Sequence, residues 1–465
     1  MVKLTRKFQD RYASIAPDGF FEALEQGLPK SIRVNTLKTT SSEFTSRARS
    51  HDWELTALPW YTDGFVIDRE DRSQPLGHSL EHFAGHFYVQ EASSMVPPLV
   101  LDPKPGERVL DMAAAPGSKT TQMAALMRNQ GLLVANDSSA VRLKALSSNV
   151  ERIGLLNVVV TQLSGPRLGR LLPGYFDKVL LDAPCTAEGT IAKNPELLGR
   201  WSENSIKKLS TLQLKLLLGA YYALRPGGTL VYSTCTFAPE ENEGVVHEFL
   251  SLHPEAVVAD FELPGLPLDD GVAEWRGVTF DPQVARTKRV WPGNLAMEGF
   301  FIAHIKKPSD VESSGEYRAY ANRRYQATEE TPSSWLEERF GLPPGWDDGY
   351  AWQRKDEEAW LMTPEAASFK ELPAIRRGMR AARTVTEGYK PTTQFLQLFG
   401  NDMAKHIVQT DKVATKAYLQ GQDLPVQQAR GYVVLDHDGI VYACGLSLGD
   451  RIKNQLPVSR RIQPR

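Results

Sequence analysis

The chain has 465 residues, more than one average domain holds, so two or three domains are expected. Hydrophobic residues make up 42% and charged residues 24%, as in a globular protein that buries large cores. No run of about 18 apolar residues is present, and the charged N-terminus lacks the apolar core of a signal peptide. These features predict a cytosolic protein without a membrane span, and the net charge of −2 argues against indiscriminate coating of nucleic acid.

Predicted strands and helices alternate through the middle of the chain. Residues 1–85 mix helical stretches with one extended piece at 31–38, and residues 86–307 alternate strand-like and helix-like segments. Such alternation is typical of an α/β domain with a mostly parallel sheet. A long helix is predicted from Ser202 to Leu224 because leucines recur at helical spacing. The predicted strands cover 107–112, 131–137, 157–161, 176–182, 228–233 and 298–305.

The composition changes after residue 307, which predicts a third region over 308–465. Asp438-Gly439 lies between two β-branched runs and predicts a hairpin, so this region contains at least a small β domain. Two groups of basic residues lie in this region: Arg376, Arg377, Arg380 and Arg383, and in the tail Arg451, Lys453, Arg460, Arg461 and Arg465. From charge alone, we favour a solvated, disordered end over a binding site for the tail.

A loop of small residues lies between the first predicted strand of the α/β domain and the helix that follows. Its sequence is Asp-Met-Ala-Ala-Ala-Pro-Gly-Ser-Lys-Thr, at 111–120. Small residues let the backbone approach a ligand, and the helix N-terminus offers free N–H groups. The loop lacks both the Gly-Lys-Ser/Thr ending of a phosphate loop and Gly-x-Gly-x-x-Gly. The alternative to a ligand-binding loop is a tight strand–helix turn with no ligand. Asp137 at the end of the second strand suits a ribose and favours a nucleoside without phosphates, such as S-adenosylmethionine.

Two cysteines follow predicted strands at the sheet edge where ligands bind, in Asp182-Ala183-Pro184-Cys185 and in Thr234-Cys235-Thr236. A single cysteine at such a position is more often a small apolar side chain packed in the core. Two cysteines beside a proposed cofactor loop indicate a catalytic role. Methylation of cytosine at carbon 5 needs a thiolate on carbon 6, an acid at N3 and a base for the carbon 5 proton. Cysteine provides a thiolate readily. The residues alone leave Cys185 or Cys235 as the nucleophile and give Asp182 as the N3 partner.

Together these residues resemble the Nol1/Nop2/Sun (Fmu) family of RNA cytosine-5 methyltransferases. The resemblance spans about residues 25–306 and includes the segments 33–38, 88–95 and 239–243. It implies a Rossmann-like, S-adenosylmethionine-dependent methyltransferase domain with a small N-terminal RNA-binding region. C-terminal segments at 418–421, 431–445 and 451–457 resemble the PUA-like domain of some members, which implies that the basic tail contacts RNA.

The resemblance also implies a role for individual residues. Cys235 is the nucleophile, and Cys185 assists release of the product. One departure concerns Ser164, which stands where the family usually has an acidic residue that contacts the adenosine. A weaker adenosine contact is therefore expected. The implied cofactor contacts are Ala113, Ala114, Ala115, Pro116, Gly117, Ser118, Lys119, Asp137, Ser164 and Asp182.

The implied substrate is a cytosine of 16S ribosomal RNA in the decoding-centre helix of the small subunit. A monomer is expected, with no metal, DNA or membrane among its partners. The alternatives are a tRNA cytosine-5 methyltransferase and a non-catalytic ribosome-assembly factor. The presence of both cysteines and Asp182 disfavours the non-catalytic factor. A DNA cytosine-5 methyltransferase would use Cys185 as nucleophile, but its Glu-Asn-Val motif is absent and Cys235 would be unexplained.

Overall fold

The computed structural model describes residues 3–70, 75–293, 295, 297–311, 325–328 and 330–462, so Arg465 of the basic tail lies outside the described residues. A ten-stranded sheet is accompanied by two four-stranded sheets, one five-stranded sheet and one two-stranded sheet. In these ranges, no helix is both long and apolar enough to cross a membrane.

The N-terminal region is an antiparallel sheet with helices, in the strand order β2-β3-β1-β4. This sheet extends past residue 85, because Val34 on β1 pairs with Phe87 on β4. The division of the chain at residues 85 and 307 stays a prediction. The elements are α1 Arg6–Tyr12, α2 Phe20–Glu25, β1 Lys30–Val34, α3 Ser41–Ser50, β2 Trp53–Leu58, β3 Tyr61–Arg69, α4 Leu80–Ala84 and β4 Phe87–Val89.

The central region confirms the predicted α/β domain. Its elements are α5 Val96–Leu101, β5 Arg108–Asp111, α6 Ser118–Leu126, β6 Leu132–Asn136, α7 Ala140–Ile153, β7 Val158–Thr161, α8 Gly165–Leu171, β8 Phe176–Asp182, α9 Leu197–Arg200, α10 Glu203–Ala223, β9 Leu224–Thr234, α11 Glu243–Leu252, β10 Val257–Ala259, β11 Asp269–Asp270, β12 Glu274–Trp275, β13 Val278–Thr279, β14 Lys288–Val290 and β15 Phe300–Lys306. Each of the six predicted strands overlaps one of these, and the predicted long helix is α10.

Five neighbouring strands of the large sheet, in the order β9-β8-β5-β6-β7, run parallel. Both faces of these strands are covered, and every residue of β6 and β7 is buried. Burial on both faces explains why the strands are near-continuous hydrophobic runs in the sequence. The strand order reverses at β5, and ligands of such sheets bind beyond the carboxyl ends of the strands at this switch point.

The C-terminal region contains the predicted hairpin, formed by β23 and β24. Asp438 and Gly439 both have positive φ, 49° and 77°, as a two-residue turn between such strands requires. The elements are β16 Gln326–Ala327, α12 Ser333–Phe340, β17 Ala351–Lys355, β18 Glu358–Met362, α13 Pro364–Ser368, β19 Ala374–Arg377, β20 Met379–Val385, β21 Gly388–Pro391, α14 Thr393–Phe399, β22 Ile407–Gln409, α15 Lys412–Leu419, β23 Gly431–His437, β24 Ile440–Ser447 and β25 Ile452–Asn454.

One strand of the C-terminal region, β19, pairs antiparallel with β7 and covers that edge of the large sheet. It carries Arg376 and Arg377, which are 8% and 1% exposed. Arg376 pairs with Glu151 at 3.2 Å, and Arg377 donates to the carbonyl of Ala367 at 3.0 Å. These two arginines are therefore not available to a phosphate, because both bind partners inside the protein. The more exposed members of the cluster, Arg380 and Arg383, also have carboxylate partners.

The N-terminal motif at 33–38 joins the first sheet to the central domain. Arg33 is fully buried, and its Nη2 donates to Thr121 Oγ1 on α6 at 2.8 Å. Asn35 Nδ2 donates to the carbonyl of Ile153 at the end of α7, at 2.9 Å. The motif therefore fixes the N-terminal sheet against the two helices that flank the proposed cofactor loop.

Candidate active site

The carboxyl ends of adjacent parallel strands bring the predicted site residues together. Asp111 and Asp182 end the neighbouring strands β5 and β8, and Asp182 lies level with Ser233 near the end of β9. Cys185 and Cys235 follow β8 and β9 within three residues. The two cysteine motifs therefore emerge side by side at one edge of the sheet, as the sequence predicts.

The two thiols are in direct contact, with 3.5 Å between the Sγ atoms of Cys185 and Cys235. Both side chains are half-buried. The hydrogen bond to Cys235 and then burial raise the pKa of the Cys185 thiol well above its usual range. Cys185 is thereby kept as a neutral thiol, able to share its proton with the sulfur of Cys235.

Asp182 ends β8 three residues before Cys185 and is held from two sides. Its Oδ2 accepts from Lys119 Nζ at 2.7 Å, and its Oδ1 accepts from Ser233 Oγ at 2.9 Å. Lys119 Nζ also donates to Ser94 Oγ at 2.9 Å. The Asp182 side chain keeps 30% of its surface exposed, against 8% for Lys119. The carboxylate is therefore oriented by its neighbours and still accessible to a ligand.

The small-residue loop folds over the end of β6, because Ala114 N–H donates to the carbonyl of Asn136 at 2.8 Å. Gly117 precedes α6 with φ of 105°, and a Cβ there would lie 2.8 Å from Leu146 Cδ1. Only glycine meets both constraints without strain. The loop positions with accessible surface are Ala113, Pro116 and Ser118.

Carboxyl groups surround this loop. Asp137 follows β6, and its carboxylate accepts from Ser139 N–H at 2.9 Å and from Ala115 N–H at 3.3 Å. Oδ2 also lies 3.5 Å from Arg142 Nη2 and the side chain is only 2% exposed, so Oδ1 keeps a lone pair for a further donor such as a ribose hydroxyl. Burial raises the pKa of Asp111 to about 7, and the charges of Asp182 and Asp137 add to the shift. Asp182 and Asp137 are paired with Lys119 and Arg142, at 2.7 and 3.5 Å, so the site offers carboxylate acceptors for hydroxyls without a surplus of negative charge.

Ser164 precedes α8, which follows the next strand of the sheet, and it is exposed. Its side chain forms no capping hydrogen bond with the helix. The adjacent carbonyl of Leu163 accepts from Asn136 Nδ2 at 3.0 Å, which holds this loop beside the end of β6. A contact between Ser164 and an adenosine stays a prediction.

Two buried carboxyls behind the cysteines were not predicted from the sequence. Glu241 Oε2 accepts from Thr186 N–H at 3.1 Å and from Gln213 Nε2 at 2.8 Å. Glu188 Oε2 accepts from Thr236 Oγ1 at 2.8 Å. Thr186 and Thr236 each directly follow a cysteine of the pair, so the two carboxyls hold the backbone on which the thiols lie.

The segment at 239–243 explains why charged residues follow the second cysteine motif so closely. Thr234 Oγ1 donates to Asn242 Oδ1 at 2.5 Å. Glu243 forms a bidentate pair with Arg289, with both distances at 2.6 Å. All of Glu241, Asn242 and Glu243 are fully buried. The sequence signal was this dense polar run between apolar neighbours.

Comparisons with known proteins cover most of the chain. The family model described as 16S rRNA methyltransferase RsmB/F matches residues 98–306. The model for the N-terminal domain of 16S rRNA methyltransferase RsmF matches 4–92, and the model for the methyltransferase RsmF PUA domain matches 405–462.

Curated relatives and solved structures agree with these models. Ribosomal RNA small subunit methyltransferase F of Aeromonas salmonicida is 37% identical to this chain, and the match covers 96% of this chain and 93% of that protein. The protein of the same name from Vibrio cholerae is also 37% identical to this chain, and the match covers 98% of this chain and 97% of that protein. A methyltransferase homologue from Pyrococcus horikoshii is 37% identical with a TM-score of 0.58, over 66% of this chain and 96% of that one. NSun6 from Pyrococcus horikoshii with SFG is 24% identical and shares the fold with a TM-score of 0.56. The match covers 65% of this chain and 97% of that chain.

The parallel sheet, its strand-end loop and the matched models define an S-adenosylmethionine-dependent methyltransferase fold, with the predicted PUA domain at the C-terminus. The chain belongs to the 16S rRNA methyltransferase RsmB/F family, an enzyme family. The resemblance inferred from the motifs is thereby confirmed.

Replacing Glu241 by glutamine should change how stability depends on pH. Burial raises the pKa of Glu241 from 4.5 to about 7. The folded state therefore favours the protonated group, and the stability it contributes is complete below about pH 4.5 and lost as the pH rises through about 7. Glu241→Gln has no such proton to lose. From pH 4.5 to pH 8, the free energy of unfolding of Glu241→Gln, measured in urea, should therefore rise relative to that of wild type by on the order of 2–3 kcal/mol.

The control is Glu248→Gln, which changes an exposed carboxylate on the nearby helix α11. The difference in the free energy of unfolding between this variant and wild type should be the same at both pH values. A Glu241→Gln difference that is equally independent of pH would show that Glu241 is ionised throughout this range.

Proposed function

We propose that the protein transfers a methyl group from S-adenosylmethionine to carbon 5 of a cytosine in 16S ribosomal RNA, with Cys235 as the nucleophile and Cys185 assisting product release. The observation that carries the proposal is the contact of the two thiols, 3.5 Å apart, at the strand ends where Asp182 also lies. The names of the full-length relatives support the RNA and the subunit.

The thiol pair suits a reaction that forms and breaks one covalent bond to the base. The sulfur of Cys235 adds to carbon 6, which leaves carbon 5 as a nucleophilic enamine carbon. Asp182 holds the protonated N3 while the ring is saturated. After methylation, the carbon 5 proton passes to Cys185, which gives up its own thiol proton at the same time, so the double bond re-forms and the Cys235 sulfur is expelled. The neutral thiol of Cys185 can donate its proton to that departing sulfur.

The residues around the strand-end loop fit S-adenosylmethionine, which supplies an electrophilic methyl group when bound. Asp137 would accept from the ribose hydroxyls, and the backbone of 113–119 would line the nucleoside. The carboxylate of Asp182, whose side chain is 30% exposed, favours the positive sulfonium. Ser164 would offer a hydroxyl to the adenosine in place of the family's acidic residue.

An RNA partner is supported by a cleft of about 450 Å³ between the N-terminal region and the C-terminal β domain. Arg47 from α3 lines one side, and Lys412 and Lys416 from α15 line the other. Cations on both walls suit a phosphate backbone, and the two carboxylates that also line the cleft, Glu81 and Asp438, lie 3.1 and 3.7 Å from the histidines His51 and His437. The proposed substrate implies a cytoplasmic enzyme, and a site formed by residues of one chain suits a monomer.

The roles of the cysteines can be tested with a covalent adduct. Cys185→Ala should still attack and methylate, but it should release the product slowly, so an RNA–protein band accumulates on a denaturing gel. Cys235→Ala and the double variant should show no band, because the bond to carbon 6 cannot form. Wild type should form the band only with 5-fluorocytosine RNA, whose fluorine blocks the elimination. The substrate is a 16S ribosomal RNA fragment.

Other assignments give different patterns on the same gel. A nucleophilic Cys185 predicts a band in Cys235→Ala and none in Cys185→Ala. A non-catalytic RNA-binding protein predicts no band in any variant, even with 5-fluorocytosine. Bisulfite sequencing of RNA from cells lacking the gene separates substrates, since loss of a 5-methylcytosine in tRNA instead of 16S ribosomal RNA would contradict the proposal.

The cleft can be tested by the salt dependence of RNA binding. Replacing both Lys412 and Lys416 by alanine should weaken binding and reduce the slope of log K against log salt by about 0.7–0.9 for each phosphate that is no longer bound. Deletion of the C-terminal region is unsuitable, because β19 covers an edge of the central sheet.

A matched control removes two other cations of the same region, Lys370 and Arg383. Both are exposed, and Arg383 pairs with Glu357. This double alanine variant should keep the wild-type slope. Equal slopes in both double variants would assign RNA binding to another surface.

A further inference from the structure

The peptide units on both sides of Cys185 are held by one pair of buried side chains. Gln213 Nε2 donates to the carbonyl of Pro184 at 2.9 Å and to Glu241 Oε2 at 2.8 Å. Thr186 N–H donates to the same Oε2 at 3.1 Å. Gln213 and Glu241 are both fully buried. A hydrogen-bonded bridge thus spans Cys185 from the residue before it to the residue after it.

A second set of contacts shows where a proton must lie. Thr186 Oγ1 contacts Glu241 Oε1 and lies 2.7 Å from Thr236 Oγ1, which lies 2.8 Å from Glu188 Oε2. These are three short oxygen–oxygen contacts, and the two threonines supply only two hydroxyl protons. A third proton is needed for all three to be hydrogen bonds, and only a carboxyl can carry it.

The donors around Glu188 assign that proton to the other carboxyl. Besides Thr236, Glu188 accepts from the Tyr12 hydroxyl at 2.7 Å, from Trp201 Nε1 at 2.5 Å and from Phe237 N–H at 3.0 Å. So many donors require an ionised acceptor. Glu241 receives its two N–H donors on Oε2, which leaves Oε1 to hold a proton toward Thr186. Burial, which raises the pKa of Glu241 to about 7, agrees with this assignment.

We propose that Gln213 and a protonated Glu241 are positioning residues that hold Cys185 against Cys235 for the release of the methylated product. This inference rests on the proposed function. Neither residue touches the reacting atoms. They act through the irregular backbone beyond β8, where a shift of about 1 Å would separate the thiols enough to slow proton transfer between them.

Gln213→Leu removes both N–H donors at similar volume and tests the bridge. Methyl transfer in a single turnover should stay within about threefold of wild type. Steady-state turnover should fall at least tenfold, and the RNA–protein adduct should accumulate as in Cys185→Ala. Gln213→Met provides the same test if the leucine variant does not fold.

Glu241→Gln tests the protonated state. Its amide nitrogen can replace the carboxyl proton toward Thr186, while its oxygen still accepts from Gln213. Turnover should therefore stay within about threefold of wild type, without adduct, as it should in the exposed control Glu248→Gln. Adduct accumulation in Glu241→Gln would show that the ionised carboxylate is required and would overturn this part of the proposal.

The outcomes separate positioning from a merely structural role. If both Gln213 variants lose single-turnover and steady-state rates in equal proportion, or turn over normally without adduct, the positioning role is overturned. Cys185→Ala and Cys235→Ala run on the same gel. If those two fail to give the expected pattern, the proposed function fails; if they give it and the Gln213 variants do not, only the present inference fails.

Discussion

The parallel pairing of β8 with β9 is the constraint on which the site depends. Asp182 lies opposite Ser233 in this register, and the two cysteine motifs continue from those positions. Each strand residue advances the chain by about 3.3 Å, so a slip of one position would move one thiol by nearly the whole distance that now separates the sulfurs. Register is well specified here because the paired residues 179–181 and 230–232 are fully buried. Core packing thus sets the geometry of the reaction.

Much of the fold could be predicted because burial leaves a direct trace in the sequence. Strands covered on both faces become apolar runs, and parallel strands place their carboxyl ends at one edge, so Asp182, Cys185 and Cys235 could be expected together. The turn at Asp438 and Gly439 was predictable because its backbone angles suit few residues.

What could not be predicted depends on partners distant in sequence. Arg376 and Arg377 look like an exposed basic cluster, but β19 carries them to the edge of the central sheet, where they meet Glu151 and backbone carbonyls. Charge counts do not distinguish these situations. The bridge through Gln213 and Glu241 was hidden for the same reason, since no local pattern links these residues to Cys185.

The bridge also bears on how two identical thiols acquire different roles. Two negative charges about 4 Å apart repel by roughly 4 kcal/mol in a protein environment, which corresponds to about three pKa units. Only one sulfur of a pair in contact can therefore be ionised near neutral pH. An ionised Glu241 would add a further negative charge close to this pair, beyond the hydrogen bond to Cys235 and the burial that already raise the pKa of Cys185. A protonated Glu241 keeps the hydrogen bonds that position Cys185 and removes most of that repulsion. The thiolate that attack on the base needs at Cys235 then does not face the added charge of Glu241.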